Sequence, residues 1–140
     1  MEKTFRLFHY LSFIQYPFLA LAIFYCYKPI FVGFETMIQD YNNGLLFLGI
    51  ALSFASLADI KKRTKLGDYV FGKPKNARRW LIYVVLLVIL LFGIAIFLHF
   101  IAPNEKIQEL STGVFVLAIG MVGLLRMNLE IIKSYQKDWN

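Results

Sequence analysis

The chain has few of the side chains that do chemistry. Cys26 is its one cysteine, which excludes an internal disulfide and a CxxC redox pair. His9 and His99 are its only histidines. There is no HExxH, no GxSxG, no Walker loop and no cysteine–histidine metal spacing. No two carboxylates sit together inside one apolar run. Enzymatic activity is therefore not expected, and neither a cofactor nor a metal is called for. No small-x-small cleavage site follows the first apolar run, where Tyr25-Cys26-Tyr27-Lys28-Pro29 is bulky, so that run reads as a retained helix. No lipidation motif is present.

Apolar residues are what the chain does have. They make up 59% of the sequence, at a mean hydropathy of +0.59, far above soluble-domain norms. A bilayer core of about 30 Å needs roughly 20 apolar residues as helix. Four runs approach that length, which predicts an all-α, four-transmembrane-helix bundle in a single domain, residues 1–140. The expected helices are about 7–28, 44–60, 80–102 and 111–132, with a basic loop at 61–79. Pro17 is expected to kink the first, which ends near Lys28-Pro29. Residues 30–43 read as an interfacial segment, with Asn42-Asn43-Gly44 as a turn. Asn76 reads as the cap of the third helix, and Ser111 or Thr112 as the start of the fourth. In the loop, two glycines and Pro74 argue against a continuous helix, leaving a short turn that holds Tyr69 and Phe71 at the membrane surface.

Charge sets the expected orientation. Eight bases lie in the central loop, two near the N-terminus (Lys3, Arg6) and three near the C-terminus (Arg126, Lys133, Lys137). Only Lys28 and Lys106 of the fifteen fall on the other side. The positive-inside rule places both termini and the loop in the cytoplasm. Trp80 and Tyr83 fit as interfacial anchors. Richness in Phe, Ile, Lys, Tyr and Asn fits a bacterial cytoplasmic (inner) membrane.

Small residues mark candidate contact faces, because lipid gives no hydrophobic drive for helix pairing. At about 100° per residue, Ser12, Gln15, Ala22 and Cys26 share one side of the first helix. Gly113, Gly120 and Gly123 share one side of the fourth. The second helix has two such faces, Gly49, Ser53 and Ser56 on one and Ala51, Ala55 and Ala58 on the other, so a central position is expected for it. The third is almost wholly large and aliphatic, suited to lipid or a partner. A faint internal repeat aligns Gly44 with Gly113, and Leu48 to Ala51 with Leu117 to Gly120. Both hairpins would then run in the same direction.

Several residues invite a functional reading beside a plainer one. The histidines are expected most of a bilayer apart, unable to share a metal, and so interfacial. Gln15 is the deepest strongly polar side chain, fit for a helix–helix hydrogen bond or for a solute path with Ser12, Ser53 and Ser56. Asp59, Arg126 and Asn128 read as interfacial groups, Arg126 paired with Glu130. Cys26 reads as a buried thiol. Lys61, Lys62, Arg63, Lys73, Lys75, Arg78 and Arg79 suit anionic lipid headgroups or an acidic partner protein, rather than nucleic acid.

The chain has the size and helix count of small multidrug carriers, without an acid in the first helix. It has the size of four-helix glutathione-dependent membrane enzymes, without their arginine–asparagine–glutamate motif. Helix count alone transfers no function. The expectation is a non-enzymatic subunit or assembly partner of a larger membrane complex. A homo-oligomeric channel or carrier is the alternative, and a membrane-permeabilising effector a weaker one.

Overall fold

A computed structural model describes residues 2–58, 65–137 and 139. Among these the chain is all helix. α1 spans Glu2–Ser12, α2 Gln15–Val32, α3 Met37–Ala55, α4 Lys65–Phe71, α5 Pro74–Ile101 and α6 Glu105–Gln136. Among the described residues, three stretches are long and apolar enough to cross a membrane: Arg6–Val32, Pro74–Ile101 and Glu105–Gln136. At about 1.5 Å per residue each exceeds the ~30 Å hydrocarbon core, so their ends project beyond it.

Helix ends differ from expectation for local reasons. Pro17 has no amide to donate to the Phe13 carbonyl, and the chain breaks there, between α1 and α2. Tyr16 N–H takes over that carbonyl at 3.2 Å. Pro29 does not end α2 but lies inside it, fully buried, and the helix runs on to Val32. It stops at Gly33, whose φ of +119° is open to glycine and strained for other residues. Residues 30–43 thus form no separate surface segment. They hold the end of α2, a single 3₁₀ turn at Phe34–Thr36 and the start of α3.

Asn42, Asn43 and Gly44 lie within α3 rather than in a turn before it. α5 begins at Pro74, three residues before the turn after Asn76, because proline suits the first helical position. α6 begins at Glu105, and Asn104 caps it by accepting the Lys106 N–H at 3.1 Å. The loop is not a bare turn. It forms α4, closed by Gly72, whose N–H donates to the Asp68 carbonyl at 2.9 Å.

The long helices form a row, α2–α3–α6–α5, rather than a closed four-cornered bundle. α3 packs on α2 and on α6, and α6 packs on α3 and on α5. Two helices are therefore central, not the second alone. α3 and α6 run parallel: Asn42 meets Gly113, Gly49 meets Val116 to Gly120, and Ser53 and Ser56 meet Gly123. Each residue of α3 thus lies across from one about 69 positions later, the offset of the faint repeat. The hairpins α2–α3 and α5–α6 approximate a two-fold relation about this seam.

Candidate functional site

Two regions gather the residues singled out above. The first is the seam between α3 and α6. A Cβ at Gly49 would lie 2.5 Å from the Val116 carbonyl oxygen, and one at Gly120 would collide with the Gly49 carbonyl. A Cβ at Gly113 would strike the Asn42 carbonyl, and one at Gly123 would lie 2.9 Å from Ser56 Oγ. Gly113 thus lies against Asn42, Gly120 against Gly49 and Gly123 against Ser56, and at Gly49 and Gly120 the two backbones come too close for a side chain between them. The serine hydroxyls bond back to their own helix. Ser53 donates to the Gly49 carbonyl at 2.9 Å and Ser56 to the Ser53 carbonyl at 2.6 Å.

Ser12 and Gln15 lie apart from this seam, at the break between α1 and α2. Ser12 is buried and donates to the His9 carbonyl at 2.6 Å. Gln15 is half-buried. Cys26 is exposed on α2, not buried, with its sulfur beside Gly44.

Polar ties that residue spacing did not reveal hold the row together. Asn42 Oδ1 accepts the Gly113 N–H across the seam at 2.7 Å. At the same end Lys28 Nζ lies 2.7 Å from Asp40 Oδ1, and Thr36 donates to Asp40 Oδ2 at 2.8 Å. These hydrogen bonds, the Lys28 one first, outweigh desolvation and hold the Asp40 carboxyl below its ordinary value of 3.8. Asp40 precedes the apolar part of α3. Lys28 also sits over the Tyr25 ring, 5.6 Å from its centroid. Tyr25, Phe47, Phe18 and Phe54 continue inward as a ladder of stacked rings with centroids 5.5–6.0 Å apart.

The second region is the basic end. α4 lies across the start of α5 and the end of α6, where Phe71, Ala77, Ile132 and Tyr135 form a small apolar core with Val70, Leu81, Ile131 and Trp139 around it. Tyr135 donates to Asp68 Oδ1 at 2.7 Å. Asp68 is the lone acid of the loop, and its tyrosine partner 67 residues away left no local signal. Lys73, Lys75, Arg78 and Arg79 are exposed beside this core. Lys61, Lys62, Arg63 and Asp59 lie outside the described residues. Arg126 Nε is 3.5 Å from Glu130 on an exposed surface. Asn128 is buried, and its amide nitrogen has no hydrogen-bond partner among the described residues.

His9 and His99 lie at opposite ends of the row, and among the described residues no three of His, Cys, Asp and Glu come together as a metal site. Compared with family models, curated proteins and solved structures, the chain matches none.

Proposed function

We propose that the chain is a non-enzymatic subunit or assembly partner of a larger membrane complex, seated in the bacterial cytoplasmic membrane. Four helices cross, with both termini and α4 on the cytoplasmic side. The charge asymmetry supports that orientation. α3 carries Asp40, Asn42 and Asn43, too polar for a lipid-facing span. Asp40, however, is paired with Lys28 ahead of the crossing part, and Asn42 has a partner on α6 in the Gly113 N–H, which lets the helix cross.

One observation carries the reading. Four helices in a row leave both outer helices with one protein-facing side each. α5 buries only Ala77, Val84, Val88 and Ala95, and presents Leu86, Ile89, Phe97 and further large side chains outward. Such a row has two flanks for neighbours and encloses no route of its own. The channel reading has less support, since Ser53 and Ser56 serve the seam and any path would have to form between copies.

The test is native mass spectrometry of the protein extracted from its own host in native nanodiscs. A defined mass containing other chains is expected. A lone copy or a closed homo-oligomer would overturn the subunit reading, and the second would call for liposome flux with Gln15→Leu.

A further inference from the structure

α4 has two opposed faces. At about 100° per residue, Asp68 and Phe71 share one side and Leu66 and Tyr69 the other. The first side is docked: Phe71 is 7% exposed, its ring centroid 6.2 Å from that of Tyr135, and Asp68 accepts the Tyr135 hydroxyl. The second side is open, with Leu66 76% and Tyr69 78% exposed. Exposed Lys65 begins the same helix, exposed Lys73 and Lys75 follow within four residues of its end, and Arg78 and Arg79 lie on the first turns of α5. Four cations crowd a helix start that is already electropositive, which favours an anion there.

The level of this surface identifies its occupant. Ala77, in the core beneath α4, precedes Trp80 by less than one turn of α5, and tryptophan at the start of an apolar span marks the headgroup layer. An apolar pair flanked in sequence by cations at that depth fits the boundary of an anionic bilayer.

We propose that α4 is an interfacial lipid-binding element. Leu66 and Tyr69 enter the headgroup boundary, Lys65, Lys73 and Lys75 engage lipid phosphates, and the Asp68–Tyr135 bond with Phe71 fixes which face is presented. This goes beyond the function proposed above and rests on its membrane-spanning reading, but not on orientation or subunit status.

The test places an environment-sensitive fluorophore on Tyr69→Cys in a Cys26→Ala background, in full-length protein. Nanodiscs of phosphatidylcholine alone are compared with nanodiscs containing phosphatidylglycerol. Nanodiscs open both faces to solvent, so an inverted topology would leave the result unchanged. The expected result is a several-fold loss of iodide quenching when phosphatidylglycerol is present, with quenching by shallow nitroxide lipids. Lys65→Gln with Lys73→Gln and Lys75→Gln should restore iodide access. Hydrogen exchange across residues 65–71 of the labelled protein tests whether α4 stays docked. Iodide access at position 69 that is equal in both nanodiscs, with residues 65–71 still protected, would overturn the proposal. Shielding that occurs in native membranes but in neither nanodisc would overturn it in favour of a protein partner.

Discussion

Gly49 and Gly120 meet backbone to backbone at the centre of the row: a side chain on Gly120 would strike the Gly49 carbonyl, and one on Gly49 would strike the Val116–Leu117 backbone of α6. This contact joins the two hairpins, because no other pair of long helices bridges them so closely. Close approach of this kind supplies dispersion and weak polar contacts, which carry helix association in lipid. Gly120→Leu should force α3 and α6 apart. Overpacking of a tight contact typically costs about 1–3 kcal/mol, so a clear drop in thermal midpoint in detergent is expected. Gly93→Ala is the control. A Cβ there meets nothing within 4 Å, so the change should be neutral or stabilising by up to about 1 kcal/mol. Equal losses from both substitutions would show that the seam is not the tight contact.

Asn42 should contribute through a hydrogen bond rather than through packing. Its carboxamide oxygen takes the Gly113 N–H at 2.7 Å, near the seam's Lys28 end. Side-chain hydrogen bonds between membrane helices average about 0.6 kcal/mol, with about 1.7 at the upper end. Asn42→Ala should cost within that range in reversible unfolding. Asn42→Asp keeps an acceptor and should cost less above the carboxyl's own titration. If Asn42→Asp costs as much as Asn42→Ala, the amide's donor side matters and the acceptor role is wrong.

These two cases show what the residues disclosed and what they withheld. Small residues at helical spacing on residues 49–56 and 113–123 are legible as surfaces that admit a backbone. Spacing does not say which backbone arrives, and the row, with two central helices, follows only from knowing that. The start of α3 was hidden for a related reason. Asp40, Asn42 and Asn43 look like loop chemistry, but Lys28 and Gly113 satisfy two of them from other helices. α4 was hidden because its docking depends on Tyr135, far along the chain. Charge in 61–79 showed that the loop was basic, not that it had an inner and an outer face.

Acid should loosen the Lys28–Asp40 tie. Asp40 is held below 3.8 in the folded chain, so the deprotonated form contributes stability that is fully present above that value. It is lost as pH falls through the lowered folded-state value. Lys28→Met should move this acid loss upward towards the ordinary carboxylate range, and Asp40→Asn should flatten it. The measurement is unfolding midpoint against pH in a non-ionic detergent. An unchanged profile in Asp40→Asn would assign the acid sensitivity to another carboxyl.

Tyr135→Phe should free α4 without unfolding the row. It removes the bond to Asp68 and keeps the ring against Phe71. A hydrogen bond of this type contributes about 0.5–1.5 kcal/mol, somewhat more with an ionised acceptor. Hydrogen exchange in residues 65–71 should rise several-fold, while the centres of α3 and α6 stay protected. A rise shared by all helices would mean that the cap is part of one cooperative unit with the row.

Asn128 is a strained choice for the isolated chain. It is 5% exposed on the α6 stripe that also carries Met121, Ile132 and Tyr135, and its amide nitrogen has no partner among the described residues. An unsatisfied buried donor costs about 1–3 kcal/mol. Leucine has the same branched shape, though it is larger, and no such donor, so Asn128→Leu should raise the thermal midpoint of the purified protein. Asn128→Ala separates the two contributions, since it removes the donor and also leaves a void. It should therefore gain less than leucine. If Asn128→Leu lowers stability instead, the amide has a partner in the folded protein, and the acceptor would be sought by repeating the pair of substitutions in the assembled complex.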